Sequence, residues 1–152
     1  MLQVPAAPSD TLKFQVALGN FEANDLSGRR WRTDDLRAKV TFVDIWSTSC
    51  GPCRREHPEI QRFYEKAKAT SNVQVLTFAM DADPRRVESY MKENSYTFPV
   101  IVSEELVGKL FPAGGLPQAW VIDPEGRRSD PFVAWPSGRV LLEVERFAGL
   151  RR

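Results

Sequence analysis

Residues 40–53 read VTFVDIWSTSCGPC and pass from an apolar run into a closely spaced pair of cysteines. The run is β-branched and aromatic around one acidic residue, Asp44, which is the composition of a buried strand. Small polar residues follow it, and beyond Cys53 the apolar residues recur at helical spacing, as Ile60, Phe63, Tyr64 and Ala67. The sequence therefore predicts a strand, a turn and a helix, with Cys50 where the helix begins.

Cys50 and Cys53 are the two cysteines of the 152-residue chain. The unpaired N–H groups and the dipole at a helix N-terminus stabilise an anion such as a thiolate. Thiols in this motif have pKa values lowered to about 3.5–7.5. Cys50 is therefore the expected nucleophile, and Cys53, one turn inside the helix, is expected to be more buried and to resolve a mixed disulfide. Pro52 suits the first helical turn and stiffens the Cys-Gly-Pro-Cys loop.

Two alternatives to a redox dithiol use the same cysteines, namely a structural disulfide and a metal site. A zinc site normally takes four Cys or His ligands, whereas the chain has a single histidine, His57. A copper site built from Cys50, Cys53 and His57 stays open as the non-catalytic alternative, because Cys53 and His57 share a helix face. A solvent-facing His57 is the commoner explanation and is the one expected here.

The segment from Trp46 to Ile60 resembles the active-site segment of thioredoxin-fold proteins, and most closely that of TlpA/ResA-like thiol-disulfide oxidoreductases. The tryptophan, the Cys-Gly-Pro-Cys motif and Pro58 are similar to thioredoxins at large. Glu56, just ahead of His57-Pro58, resembles the TlpA/ResA-like branch in particular.

Two further segments carry the same resemblance. Residues 21–36 resemble the N-terminal hairpin and short helix that this branch shares with peroxiredoxins, and residues 115–123 resemble the segment with the cis-proline of the fold. The resemblance covers most of residues 14–149. It implies an α/β thioredoxin-like fold, with a central mixed β-sheet flanked by helices, an N-terminal hairpin and an extra βα insert of the TlpA/peroxiredoxin type.

Alternating strand and helix patterns along the chain agree with an α/β fold. Two short strands are expected near 13–24, and further strands at 39–46, 73–79, 98–102, 118–123 and 127–133. Helices are expected near 34–36, at 52–69, after Asp83-Pro84, at 104–111 and around Val140 to Ala148. Residues 1–12 are expected to form a flexible lead-in, and residues 13–152 a single thioredoxin-like domain.

Asp44 lies six residues before Cys50, in a run where a carboxylate is costly unless it is partnered or protonated. Desolvation favours the neutral acid, and a shifted pKa of this kind suits an acid–base partner for Cys53. The resemblance to thioredoxins implies the same role. The alternative is a carboxylate that caps a nearby turn.

The resemblance implies that Pro117 follows a cis peptide bond and lies across from Cys50, which leaves the Leu116 backbone free to pair with an extended substrate. The alternative is a plain trans turn, since only about 5–6% of X-Pro bonds are cis. We expect the following residues to form the partner-facing surface: Trp46, Ser49, Gly51, Pro52 and Leu116. Core packing alone would also explain Trp46, whose ring could shield the dithiol.

Ser49 departs from the resembled pattern, because thioredoxins and most of the branch have tryptophan directly before the first cysteine. Without a large flat aromatic ring at this position, Cys50 should be more exposed and apolar docking of substrates weaker.

The reaction expected from these residues is thiol–disulfide exchange, in which Cys50 attacks a partner disulfide and Cys53 displaces the product with help from Asp44. Reduction of partners is the expected direction. No cofactor is required, because the Cys50–Cys53 disulfide itself carries the electrons. A peroxiredoxin-like peroxidase is the nearest enzymatic alternative. Those enzymes resemble the pattern Pro-x-x-x-Thr-x-x-Cys at the nucleophile, whereas this chain has Val43 at the proline position and Ser47 at the threonine position.

The expected partners are proteins with disulfides or dithiols, together with an upstream electron donor, and we expect a monomer. A formal net charge of +1, with lysines and arginines spread along the chain, gives no support for nucleic-acid binding. No run approaches the length of a membrane span. Residues 1–10 have no export-signal pattern, which suggests the cytoplasm, whereas the resemblance implies a periplasmic or otherwise extracytoplasmic protein. The extracytoplasmic setting is our expectation.

Overall fold

The structure is a computed structural model that describes residues 12–133 and 137–149. Its strands are β1 (Phe14–Ala17), β2 (Glu22–Asn24), β3 (Arg30–Arg32), β4 (Val40–Trp46), β5 (Val73–Ala79), β6 (Val100–Val102), β7 (Gln118–Ile122), β8 (Arg127–Ser129) and β9 (Phe132–Val133). Its α-helices are α1 (Gly51–Lys68), α2 (Pro84–Glu93), α3 (Glu104–Leu110) and α4 (Ser137–Phe147), and a 3₁₀ helix spans Thr33–Leu36.

The main sheet is mixed and has the strand order β1-β8-β7-β4-β5-β6, with β9 also paired to β7. Strands β4, β5 and β6 run parallel, and β7 is antiparallel to β4. All seven residues of β4 are buried, as expected for a central strand covered on both faces. The expected central mixed sheet flanked by helices is confirmed.

Side chains of β4 alternate between two apolar clusters, one on each face of the sheet. Phe42 and Trp46 pack with residues of α1, α2 and α4, whereas Val43 and Ile45 pack with α3, the β2–β3 hairpin and the 3₁₀ helix. Since successive strand residues point to opposite faces, Asp44 shares the face of Phe42 and Trp46. The acid therefore lies beneath α1, the helix that carries Cys53.

The N-terminal hairpin and short helix expected within residues 21–36 are confirmed. The hairpin is formed by β2 and β3, whereas β1 joins the edge of the main sheet beside β8. A strong local turn explains the hairpin: Gly28 has a positive φ of 91°, and the Asp25 carboxylate accepts from the backbone N–H groups of Ser27 and Arg29 and from the indole of Trp31. Ladder partners of β1 lie more than a hundred residues away, so local sequence could not reveal them.

The extra βα insert is confirmed as β6 and α3, whose N-cap, Ser103, accepts from the Leu106 N–H at 3.0 Å. The expected strand 127–133 is instead two short strands, β8 and β9. Ser129 explains the break, because its hydroxyl accepts from Val121 N–H and donates to the Asp130 carbonyl. Pro131 follows and has no N–H to donate to a ladder.

Residues 1–11 of the expected lead-in lie outside the described residues. Leu12, however, is 2% exposed and belongs to the core, so its assignment to the flexible lead-in is wrong. None of the helices in the described part of the chain is long and apolar enough to cross a bilayer.

Candidate active site

The two cysteines lie at the first turn of α1 and are joined by a disulfide, with their Cα atoms 5.3 Å apart. Cys50 is the N-cap of the helix, and its sulfur accepts a hydrogen bond from the Cys53 N–H at 3.2 Å. Cys53 is 1% exposed, whereas Cys50 is partly exposed. The expected difference in burial is confirmed, and the sulfur that a partner can reach is that of Cys50.

Asp81, which follows β5, holds the loop that leads into Cys50. The Asp81 carboxylate accepts from the Thr48 N–H at 3.0 Å and from the Thr48 hydroxyl. Asp81 follows β5, and since β4 and β5 are parallel, their carboxyl ends meet at one edge of the sheet. Sequence reasoning missed this residue, although an acidic side chain directly after the neighbouring parallel strand was the available signal.

The Leu116–Pro117 peptide bond is cis, so the alternative of a plain trans turn is wrong. Pro117 is buried, yet with Leu116 it borders an open groove of about 720 Å³. Pro52 and Arg55 of α1 line the same groove. Tertiary structure thus brings the Pro117 segment beside the first turn of α1, as the resemblance implied.

Trp46 is buried and does not belong to the partner-facing surface, which corrects the expectation for this residue. Its side chain is 0% exposed, its indole donates to the Thr77 hydroxyl at 3.0 Å, and its ring lies 4.4 Å from that of His57. A partner cannot contact a ring enclosed in this way. The other expected surface residues do reach solvent: Ser49, Gly51 and Pro52 are exposed, and Leu116 is half-buried.

The solvent-facing position expected for His57 is wrong, because its side chain is 0% exposed. Aromatic rings surround it, with centroids at 4.4 to 5.8 Å, from Trp46, Tyr90, Tyr96 and Phe98. The signal was present in the helix pattern: Cys53, His57, Ile60, Tyr64 and Ala67 follow one another at spacings of four and three residues, which extends the apolar face back to the histidine.

Two buried titratable groups face each other beneath the dithiol. Asp44 Oδ2 and His57 Nε2 are 3.9 Å apart. Burial raises the pKa of Asp44 well above its usual range, and the Glu56 carboxylate adds to the effect. Burial also lowers the pKa of His57 to about 3, and the Arg54 guanidinium adds to it. The low-dielectric site therefore favours the neutral form of both groups.

Asp44 lies in the middle of β4, in register with Thr77 of β5 and Ala119 of β7. This position does not fit the alternative of a carboxylate that caps a turn. His57 turns its Nδ1 to the Tyr90 hydroxyl at 2.6 Å, and residues 12–133 and 137–149 contain no group of three or more His, Cys, Asp or Glu placed to hold a metal ion.

With this geometry established, the chain can be compared with known proteins. The model of the AhpC/TSA family matches residues 15–127. The chain belongs to the AhpC/TSA family. The thioredoxin-like fold expected from the sequence agrees with this membership, and the resemblance to the TlpA/ResA-like branch is confirmed by the relatives that follow.

Curated relatives of this AhpC/TSA protein are named thiol-disulfide oxidoreductase ResA. The relative from Geobacillus thermodenitrificans is 32% identical over 125 residues, covering 77% of this chain and 70% of the relative. A relative from Bacillus cereus is 30% identical over 110 residues, covering 71% of this chain, and the chain spans only 62% of its length. A secreted thiol-disulfide isomerase from Corynebacterium glutamicum has the same fold, with a TM-score of 0.76 at 21% identity over 98% of both chains.

Proposed function

We propose that this AhpC/TSA family protein is a thiol-disulfide oxidoreductase that reduces disulfides in partner proteins. The observation that carries the proposal is the placement of the two cysteines, with Cys50 partly exposed at the N-cap of α1 and Cys53 buried one turn further on. Similarity to proteins named thiol-disulfide oxidoreductase supports it. The proposed reaction unit is a single domain that acts as a monomer and needs no bound cofactor.

The proposed cycle moves two electrons from the dithiol to the partner. The Cys50 thiolate attacks one sulfur of a partner disulfide, and the other partner sulfur leaves as a thiolate that takes a proton from solvent. Cys53 then loses its proton to the ionised form of Asp44, which is a stronger base than an exposed carboxylate because burial raises its pKa. Cys53 attacks the Cys50 sulfur, which expels the second partner thiolate and forms the Cys50–Cys53 disulfide. An upstream dithiol donor returns two electrons and two protons to complete the cycle.

The proposed docking surface combines exposed residues around Cys50 with the groove beside Pro117. An extended partner segment would lie along the Leu116 backbone, in the groove that Pro52 and Arg55 also line. We place this exchange outside the cytoplasm, in line with the similarity to the TlpA/ResA-like branch, with the cytoplasm as the alternative.

Cys50→Ser is expected to reduce the rate of insulin disulfide reduction, with dithiothreitol as electron donor, to the uncatalysed background. Only the Cys50 sulfur is exposed, so no second nucleophile can replace it. Turbidity of the released insulin B chain measures the rate. Wild-type protein that fails to reduce any disulfide, but whose Cys50 is rapidly oxidised by hydrogen peroxide, would instead indicate the peroxidase alternative.

Ser49→Trp is expected to increase kcat/KM for an apolar peptide disulfide by about two- to tenfold, mostly through a lower KM, since one added aromatic contact is worth about 0.5–1.5 kcal/mol. Ser49 is exposed, and its hydroxyl lies 2.8 Å from that of Ser47, so the new ring would extend from the loop beside Cys50. Ser49→Ala is the matched control and should leave KM near the wild-type value. An unchanged KM for Ser49→Trp would show that partners do not contact this position.

A further inference from the structure

The proposed exchange leaves a proton on Asp44, and this acid has little access to solvent. Asp44 is 2% exposed and lies between Phe42 and Trp46 on a strand buried along its whole length. This proton can return to Cys53 when the donor restores the dithiol, or it can leave for solvent and a new one can enter during reduction. The second course requires a route between the buried carboxyl group and the surface.

We infer that His57 and Tyr90 form this route and carry protons between Asp44 and the surface groove between α1 and α2. This inference rests on the proposed function. His57 acts on Cys53 through Asp44 and is therefore a positioning residue.

The first observation is an unsatisfied atom. His57 Nε2 is buried and has no hydrogen-bond partner among the described residues, and it faces Asp44 Oδ2 at 3.9 Å. A buried polar atom left without a partner is costly and uncommon. An approach of about 1 Å would bring the two atoms to hydrogen-bond distance. The orphan nitrogen is therefore placed to take or return the proton of this acid.

The second observation is a contact that leads outward. His57 Nδ1 lies 2.6 Å from the Tyr90 hydroxyl, within hydrogen-bond distance. Tyr90 is 8% exposed and borders a surface groove of about 380 Å³, together with Thr48, Arg54 and Arg86. The Arg54 guanidinium lies 5.3 Å from the centre of the Tyr90 ring. Tyr90 thus connects the enclosed histidine with the surface beside the active-site loop.

A proton can pass through His57 while its imidazole stays neutral. When Asp44 is protonated, His57 Nδ1–H donates to the Tyr90 oxygen, and the bare Nε2 faces the acid. The Asp44 proton then passes to Nε2, the Nδ1 proton passes to the Tyr90 oxygen, and the original Tyr90 hydroxyl proton goes to water in the groove. His57 ends as the other neutral tautomer beside an ionised Asp44. Reversal of the same steps returns a proton when the donor restores the dithiol.

The surroundings of the pair favour this neutral mechanism. The charged or titratable groups around it are Arg54 and Glu56 on α1, Tyr90 on α2 and Tyr96 in the segment before β6. Burial and Arg54 disfavour the imidazolium, and burial and Glu56 disfavour ionised Asp44. A tautomer exchange therefore avoids a charged imidazole in an aromatic enclosure, which burial disfavours.

The first test uses the fact that His57 is the single histidine of the chain. In ¹⁵N spectra of the oxidised wild-type protein, its ring nitrogens should exchange donor and acceptor character as pH rises through the Asp44 titration, without passing through the imidazolium. In Asp44→Asn the tautomer should stay the same at every pH. An imidazolium that forms near the usual histidine pKa, or one tautomer throughout in the wild type, would overturn the inference.

The second test measures the pH dependence of multiple-turnover reduction of a peptide disulfide, with dithiothreitol as electron donor, because the relay resets Asp44 between cycles. His57→Phe keeps an aromatic ring in the enclosure but removes both nitrogens, and Tyr90→Phe removes only the hydroxyl. Both should lose the rate inflection that follows Asp44, and His57→Phe should be slower at neutral pH by about tenfold or more, up to the about 10²-fold at the lower end of direct acid–base catalysis. Combining His57→Phe with Asp44→Asn should slow the reaction no further than Asp44→Asn alone.

Tyr96→Phe is the matched control, because Tyr96 packs on the same imidazole with ring centroids 5.8 Å apart but lies off the route. It should keep the wild-type profile. Cooperative unfolding of each variant checks the fold, and Tyr90→Phe provides the milder change if His57→Phe is unstable. Wild-type profiles in both His57→Phe and Tyr90→Phe would contradict the relay, whereas a wild type that reduces no disulfide would contradict the proposed function itself.

Discussion

Cys53→Ser is expected to stop the reaction at the mixed disulfide and to accumulate a covalent adduct between Cys50 and the partner. Cys50 remains partly exposed at the N-cap of α1, so the first attack should still occur. Resolution then depends on an external thiol, because the neighbouring sulfur of Cys53 is gone. Intramolecular groups can act at effective concentrations of about 10⁵ M or more, so turnover should fall by about a thousandfold or more.

Intact mass spectrometry of Cys53→Ser after incubation with a peptide disulfide measures this adduct. One peptide thiol should add per protein molecule, and excess dithiothreitol should release it. Cys50→Ser is the matched variant and should form no adduct, because Cys53 is 1% exposed. Multiple turnovers by Cys53→Ser at the wild-type rate would contradict the assignment of Cys53 as the resolving cysteine.

Asp44→Asn is expected to stabilise the protein at neutral pH by about 0.5–2 kcal/mol, the usual range for relief of an unfavourable functional residue. The pKa of Asp44 is raised well above its ordinary 3.8 by burial and by Glu56, so the folded state binds this proton more tightly than the unfolded state. Folding therefore becomes less favourable as pH rises from about 3.8 through the raised folded-state pKa. The gain from asparagine should disappear as pH falls toward 3.8.

His57 changes the free energy of unfolding with pH in the opposite direction over the same acid range. Its pKa is lowered from 6.5 to about 3 by burial and by Arg54, so the unfolded state binds this proton more tightly. Acid should therefore destabilise the protein as pH falls from about 6.5 toward about 3, by at most about 1.4 kcal/mol per pH unit. In the wild type this slope is opposed by that of Asp44.

Urea unfolding at several pH values between about 4 and 7 separates the contributions of Asp44 and His57 to the pH dependence of stability. Asp44→Asn should lose stability in acid more steeply than the wild type, because only the His57 contribution remains. His57→Phe should show the reverse change and gain stability relative to the wild type as pH falls. Parallel pH curves for all three proteins would show that the two groups do not titrate differently in the folded and unfolded states.

The elements of the fold were well predicted wherever their signal is local. The strand 73–79 matches β5 at both ends, and the helix expected at 52–69 is α1, Gly51–Lys68, because the periodicity of apolar residues is set over a few turns of chain. The position of the dithiol follows from the same segment. Cys50 at the N-cap and Cys53 inside the helix need no distant contact.

The surroundings of the dithiol were predicted less well. Trp46 was assigned to the docking surface and His57 to solvent, yet both are fully buried. Both lie in a single aromatic enclosure with Tyr90 of α2 and Phe98 before β6, which are more than thirty residues away along the chain.

The sequence was sufficient for the fold class, the helix-capping dithiol and an acid buried in the strand below it, since each depends on residues a few positions apart. Packing of α2 and the segment before β6 against α1 determined the enclosure of His57 and its contact with Tyr90, and the parallel pairing of β4 with β5 placed Asp81 beside the active-site loop. These are contacts between side chains brought together by the sheet order, and hydrophobic periodicity in one segment carries no information about which distant side chain will meet it.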